Sequence, residues 1–415
     1  MSASAGRPLA HAKWLRAPES HAVLRALSAE GGEARFVGGC VRDALLDPDK
    51  DAADLDIATQ ERPERVTALL EAVGMHVVPT GLKHGTVTAH VGKHSYEITT
   101  LRRDVDCDGR HALVEYSSDF VEDAARRDFT INAMSCDADG RLFDPFGGAG
   151  DLRQGRVRFV GEPRRRIRED WLRILRFFRF LARFGGEEVD AAALAACEAE
   201  RAGIDFLSGE RVREELLKLL VAPRAARSLR LMVETGVMRH VLPAEPAIGR
   251  FEALVDRAHG SDALLRLASL LRGAVAGPQG EAVAGALRLS RKDGLRLQAL
   301  LALPLPGPDT TGQEHRRLVW RHGLPLWRDL VRLAWAEAGG DPEALAALLE
   351  RLGHWKVPVF PLRGADVLAM GAAPGPQVGR VLERVQARWE AADFPGEEAL
   401  CRRWLEEELN SRSEG

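Results

Sequence analysis

Two aspartates one residue apart, in Asp54-Leu55-Asp56-Ile57, stand fifteen residues after Gly39 in the run Gly38-Gly39-Cys40-Val41-Arg42-Asp43. Side chains alternate along a strand, so Asp54 and Asp56 would share one face while Leu55 and Ile57 point to a core. Carboxylates that close repel unless a cation lies between them, and hard divalent cations prefer oxygen donors. The Gly-Gly turn lets a phosphate approach the backbone. Val41 to Leu46 reads as a helix start whose amides, with Arg42, favour an anion. Together these parts describe a magnesium-nucleotide site. A solvated strand end and an ordinary turn would explain either half alone, so the weight falls on what lies downstream.

Three further segments carry chemistry. The first is Tyr96-Glu97-Ile98-Thr99-Thr100-Leu101-Arg102, which offers a third carboxylate. An aspartate pair alone binds metal weakly, but spacing leaves Glu97 open between a ligand and a residue on an edge strand. The second is Arg126-Arg127-Asp128-Phe129-Thr130-Ile131-Asn132-Ala133. A guanidinium fits phosphate oxygens bidentately, and a carboxylate can accept from a ribose 2′-hydroxyl. The third runs from Glu169-Asp170-Trp171 through Arg173, Arg176 and Arg179. As one helix it places Trp171, Ile174, Leu175, Phe178, Leu181 and Ala182 on a core stripe. Asp170 and Arg173 then fall side by side at i, i+3, with Arg176 also off the stripe, and an intrahelical ion pair is the plain alternative. Arg179 lies about 180° round a straight helix from Asp170 at ~100° per residue.

Gly-Gly-x-Val-Arg-Asp-x-Leu-Leu followed by Asp-x-Asp-x-x-Thr, ending at Thr59, resembles the class II nucleotidyltransferases of the DNA polymerase beta superfamily. That group holds CCA-adding tRNA nucleotidyltransferases and bacterial poly(A) polymerases. The resemblance runs from about Arg35 to about Leu220. It implies Asp54, Asp56 and Glu97 as catalytic ligands of Mg²⁺, and Gly39, Arg42, Arg127 and Asp128 on the sugar and triphosphate. It adds Arg176 and Arg179 to the nucleotide-binding residues and makes Asp170 and Arg173 the reader of C or A. Their carboxylate would accept from the exocyclic amine and their guanidinium donate to the ring acceptor; UTP and GTP present a carbonyl instead. The polar segment Asp104 to Ala112 matches a loop that such enzymes need for the final A. Asp144-Pro145-Phe146-Gly147-Gly148 resembles a hinge, and Gly209-Glu210-Arg211 through Leu216 resembles the last helical motif, where a packing helix reads equally well. The implied substrates are CTP, ATP and tRNA. Poly(A) polymerase is the nearest rival. Against it stand Thr80-Gly81-Leu82-Lys83-His84-Gly85-Thr86, which follows the CCA-type pattern, and the acidic Glu406-Glu407-Glu408. A tRNA-binding protein without catalysis has no use for clustered carboxylates beside phosphate, and a small-molecule nucleotidyltransferase has no use for a long helical half.

Those residues need a framework, and 415 residues suffice for two or more domains. Short β-like runs at Ala34–Val37, Leu55–Ala58, Thr86–Val91, Ser95–Leu101 and Arg156–Val160, with a helix from Arg62 to Val73, predict an α/β head. From Glu169 onward the pattern is helical and rich in Leu and Ala. The expected fold is α+β: a helical extension over 1–32, a polymerase-beta-like head with a mixed sheet over 33–160, and an all-α remainder. That remainder divides into a base-selecting neck over 161–222 and a tRNA-binding body and tail over 223–415.

Net charge is −3, yet Arg153 to Arg183 carries eleven arginines against Glu162, Glu169 and Asp170, a basic stripe suited to a phosphate path. Five scattered cysteines without Cys-x-x-Cys spacing argue against zinc or a disulfide framework. No signal peptide or membrane span is expected, the cytoplasm is the expected compartment, and nothing marks a protein partner. His84 reads as a turn residue, and no His-Asp dyad of the phosphohydrolase type occurs in the C-terminal half.

Overall fold

This computed structural model describes residues 8–52, 54–81, 85–107, 112–258, 262–274, 278–307 and 309–410. The chain divides into two compact units, one of residues 1–243 with 286–288, the other of 244–285 with 289–415.

The first unit is built on a seven-stranded sheet of order β3-β4-β5-β2-β1-β8-β9. Its strands are β1 (Ala34–Val37), β2 (Asp54–Thr59), β3 (His76–Gly81), β4 (Thr86–Val91), β5 (His94–Thr100), β8 (Ser135–Cys136) and β9 (Leu142–Phe143). Only β2 and β5 run parallel; the other pairs are antiparallel. Helices α1 (Pro18–Leu27), α2 (Gly39–Leu46) and α3 (Pro63–Glu71) follow in the same chain order. Alternation decides what each strand buries: in β2, Leu55 and Ile57 are buried while Asp54 and Asp56 are exposed. The expected N-terminal extension is one helix preceded by turns, and Leu9, Ala12, Trp14 and Leu15 in those turns are buried. Trp14 packs on Phe36 of β1 with ring centroids 4.7 Å apart.

Two expectations are corrected. The segment Arg156–Val160 is not a strand. It makes one isolated bridge, Phe159 to Phe129, because the positive-φ residues Gly155 and Gly161 turn the chain at each end. The polar stretch after Arg102, read as a loop, contains a two-stranded ribbon, β6 (Arg102–Cys107) and β7 (Ala112–Tyr116), followed by α4 (Phe120–Ala125). Residues 108–111 and the residues Leu82, Lys83 and His84 lie outside the described residues.

Helices α5 (Gly148–Gln154), α6 (Pro163–Glu169), α7 (Leu172–Phe184), α8 (Ala191–Ala199), α9 (Gly209–Leu220) and α10 (Ala225–Glu234) complete the first unit. Most of the expected core stripe of α7 forms, with Ile174, Leu175, Phe178, Leu181 and Ala182 buried and Phe177 and Phe180 joining them; Trp171, expected to start the stripe, precedes the helix and is half-buried. The second unit is all-α, from α11 (Ile248–Arg257) to α20 (Glu398–Asn410). It has its own core around Val381, Val385, Trp389, Cys401 and Leu405. Among the described residues no helix is long and apolar enough to cross a membrane. Cys40, Cys136, Cys197 and Cys401 are free and buried.

Candidate active site

The site begins where β1 ends. Gly38 has φ +72° and ψ −124°, a conformation open in practice only to glycine, and α2 starts at Gly39. A Cβ on Gly38 would lie 2.9 Å from Arg127 Nη1 and 3.8 Å from Asp56 Oδ2. Gly38 is thus the residue that lets a guanidinium and a carboxylate close on the turn. The sequence singles out Gly39, whose place is the first turn of α2, where a helix leaves its amides without intrahelical partners.

Register places the three carboxylates on one face of the sheet. Asp56 lies directly opposite Glu97, and Asp54 opposite Ser95. All three side chains are exposed, and none pairs with another described side chain. Asp56 is open to solvent yet walled closely enough that burial pushes its carboxyl up. Arg127 pulls it down, and Glu97 and Asp54 push it up again. Among the described residues no three His, Cys, Asp or Glu side chains converge tightly enough to enclose a metal ion. An oxygen-only donor set with uncompensated charge nonetheless fits a hard divalent cation.

Behind the turn runs a chain of polar contacts. Arg42 is buried; its Nη1 donates to Asn132 Oδ1 at 2.5 Å and its Nε to Asp43 Oδ1 at 2.8 Å. Asp43 also accepts from Lys50 at 2.7 Å and Arg183 at 3.2 Å. Asn132 Nδ2 donates to Asp128 Oδ1 at 2.9 Å. Asp128 accepts in addition from the Phe129 amide at 2.8 Å and from Arg176 Nε at 2.7 Å. Burial pushes the Asp128 carboxyl up, but the Arg176 charge and these hydrogen bonds hold it below the usual range. Arg127 reaches Asp123 at 3.2 Å.

The helix expected to run unbroken from Glu169 is interrupted. Asp170 is extended, at φ −158° and ψ 107°, between α6 and α7. Its carboxylate accepts from the Leu172 amide at 3.1 Å and from Arg211 Nη2 at 2.8 Å. Arg173 turns away, donating from Nη1 to Glu169 Oε2 and to the Arg166 carbonyl, each at 2.7 Å. The expected i, i+3 pair of Asp170 and Arg173 therefore does not form, because Asp170 stands outside the helix and helical spacing does not apply to it. Both nevertheless line one cavity of about 450 Å³, together with Gly38, Gly39, Arg42, Asp56, Arg127, Asp128 and Arg176. Asn132, Arg126, Leu172, Phe180 and Arg211 complete the wall. Arg179 is not part of it and pairs with the buried Glu215 of α9, which also lies 3.7 Å from Arg176. Asp54 and Asp56 border a second cavity of about 270 Å³, so Asp56 is a wall common to both.

Sequence reasoning passes over Asn132, Arg211 and Glu215. Asn132 lies four residues after Asp128, inside the arginine-aspartate motif, and Arg211 and Glu215 lie inside the motif that reads equally well as a packing helix.

An arginine-lined cavity, a glycine turn and carboxylates on adjacent parallel strands of a mixed sheet define a nucleotidyltransferase. Comparison with known proteins agrees and narrows the class. Residues 34–158 match the poly A polymerase head domain, and residues 188–247 match a probable RNA and SrmB-binding site of polymerase A. The chain is 35% identical over 373 residues to the mitochondrial CCA tRNA nucleotidyltransferase 1 of Danio rerio, covering 87% of this chain and 84% of that one. It is 39% identical over 221 residues to the CCA-adding enzyme of Bacillus licheniformis, covering 53% of this chain and 54% of that one. The crystal structure of the Bacillus stearothermophilus CCA-adding enzyme in complex with CTP superposes with a TM-score of 0.69 at 27% identity, over 95% of this chain and 98% of the other. The chain belongs to the family of CCA-adding tRNA nucleotidyltransferases.

Proposed function

We propose that this protein adds C, C and A to the 3′ end of tRNA, drawing on CTP and ATP without a nucleic-acid template. The observation that carries the reading is the sharing of one cavity by Asp56, the glycine turn, Arg127 and the base-facing residues Asp170 and Arg173. In the reaction the tRNA 3′-hydroxyl oxygen forms a bond to the α-phosphorus while the bond to the bridging oxygen breaks and pyrophosphate leaves. The first amides of α2, with Arg42 and Arg127, hold the triphosphate. Asp128, oriented by Arg176 and Asn132, sits by the ribose, and Arg179 supports Arg176 through Glu215.

Asp54, Asp56 and Glu97 fit a divalent metal, as is typical of nucleotidyltransferases, and Mg²⁺ is the ion we assign. When bound, it supplies Lewis-acid stabilisation of charge on the reacting phosphoryl group. Asp170 accepts the exocyclic amine of C or A, giving up Arg211 to do so, and Arg173 donates to the ring acceptor. Residues 33–160 act as catalytic head after the extension at 1–32, 161–222 as base-selecting neck and 223–415 as tRNA-binding body and tail, working in the cytoplasm.

The test supplies tRNA lacking its CCA end with each NTP singly and in combination, then sequences the products. Addition of C, C and A and no more supports the reading. A run of A residues would make the protein a poly(A) polymerase, and no extension would leave a tRNA-binding protein without catalysis.

A further inference from the structure

Phe206 ends a 3₁₀ turn, Arg201–Phe206, between α8 and α9. Its ring lies 5.3 Å from that of Trp171, with planes tilted by 33°. Trp171 in turn lies against Gly203, where a Cβ would come within 2.1 Å of the indole. Phe206 is 65% exposed, and among the described residues no other phenylalanine or tryptophan is exposed. One exposed apolar ring is ordinary on a protein surface. Three neighbours give this one a different meaning.

The first is Asp170, which directly precedes Trp171 and lines the main cavity with Arg211. The aromatic pair is therefore anchored at the residue assigned to the incoming base. The second is charge. Arg164 and Arg168 on α6 both pair with Glu200, which begins the turn that Phe206 ends, at 2.9 and 2.8 Å. Glu162 also faces Arg164 and Arg168, and Arg165 lies 3.7 Å from Glu169, yet the Arg165 side chain stays 82% exposed and open to a phosphate. The third is the match of residues 188–247, which contain Phe206, to a probable RNA-binding site.

We propose that Trp171 and Phe206 form a stacking platform for an unpaired base near the tRNA 3′ end, with the flanking phosphates drawn toward Arg164, Arg165 and Arg168. This rests on the RNA-extending reading above and deepens it. Bases stack on aromatic side chains whatever their sequence, since every base has a π-face. That tolerance suits an acceptor whose end changes identity as it grows: the base before the reacting hydroxyl is the last base of the tRNA body, whichever it is, at the first addition and C at the second and third. A hydrogen-bonding reader fitted to C there would hinder the first addition whenever that last base is not C.

The test measures CTP addition to tRNA lacking CCA with the full-length protein and its Phe206→Ala, Phe206→Tyr and Phe206→Leu variants. Phe206→Ala should raise the KM for tRNA roughly five- to a hundredfold, the range that loss of one base–aromatic stack produces. The KM for CTP should stay at its wild-type value. Tyrosine should restore the KM for tRNA, and leucine, which keeps apolar area but has no π-face, should not. A tRNA carrying 2-aminopurine as its last base should be quenched on binding the wild type and less so on binding Phe206→Ala. An unchanged KM for tRNA in Phe206→Ala, or full rescue by leucine, would overturn the platform. A change in oligomeric state in its place would assign the ring to protein packing. Should the wild type extend no tRNA at all, the parent reading falls and takes the platform with it. With a wild type that extends tRNA, the variants test Phe206 alone.

Discussion

Asp56 shows how a site is held at the expense of stability. Burial and the neighbouring carboxylates of Glu97 and Asp54 raise its folded-state pKa, so its ionised form is better accommodated in the unfolded chain. The cost is absent at acid pH and present above the folded pKa. Asp56→Asn should therefore abolish transfer, by about a thousandfold or more if several kcal/mol of transition-state stabilisation are lost, yet slightly raise Tm at neutral pH. Mg²⁺ should raise the Tm of the wild type and leave that of the variant unmoved. A variant with substantial Mg²⁺-dependent activity would remove Asp56 from the catalytic set. Asp128 carries the opposite sign. Its folded-state pKa is depressed, so the stability it contributes is present above the unfolded value of about 3.9 and disappears as pH falls through the folded one. Asp128→Asn leaves Arg176 with only the more distant Glu215 carboxylate and should cost about 1–3 kcal/mol at pH 7. The variant should also lose part of the wild type's acid-induced decline, which urea unfolding at pH 7 and at pH 3 would compare. Equal losses at both pH values would mean that Asp128 contributes no charge-dependent stability.

At the scale of elements, the break between α6 and α7 reorganises what a helical wheel assigns. Asp170 leaves the helix, caps the Leu172 amide and takes Arg211 as partner, while Arg173 is held by Glu169 and the Arg166 carbonyl. Arg173→Ala should lower discrimination against UTP and GTP as well as rate, because the ring-acceptor donor is gone. Arg211→Ala should keep the preference for C and A, since Arg211 must yield its place to the base. Single-turnover incorporation of all four NTPs separates the two; loss of selectivity in Arg211→Ala with none in Arg173→Ala would reverse the assignment. Pattern made β1 and β4 legible to the residue, because alternation and turn residues are local signals. It missed β3, an edge strand whose run is interrupted by Pro79, and also β8 and β9, two residues each, which owe their pairing to the edge of β1 rather than to their own sequence. It read Arg156–Val160 as a strand because apolar and β-branched residues look alike whether or not a partner strand exists. Asp54 and Asp56 were legible because their spacing is local; spacing leaves Glu97 open, and Glu97, Arg127 and Asp128 are assigned through the family resemblance. The Arg42–Asn132–Asp128–Arg176–Glu215 chain was not legible, because its links join residues up to 90 apart.

The whole molecule is two compact units, each with a core of its own. The first holds the sheet and every residue named above as lining the main cavity, and the second is an all-α unit with Trp389 and Trp404 in its core. Two cores need not melt together, and a ligand stabilises only the species that binds it. Calorimetry should accordingly resolve two transitions. CTP bound to the wild type should shift one of them, since a ligand at 100 times its Kd adds about 2.7 kcal/mol to the unit that binds it, worth several degrees. The second transition should stay where it was. Arg127→Ala, which removes a guanidinium from the cavity without touching the second core, should abolish the shift and leave both transitions resolved. The reverse outcome is equally specific. A single transition that moves as a whole with CTP would mean that the helical half melts only with the head, and the nucleotide would then stabilise residues far outside the cavity it occupies.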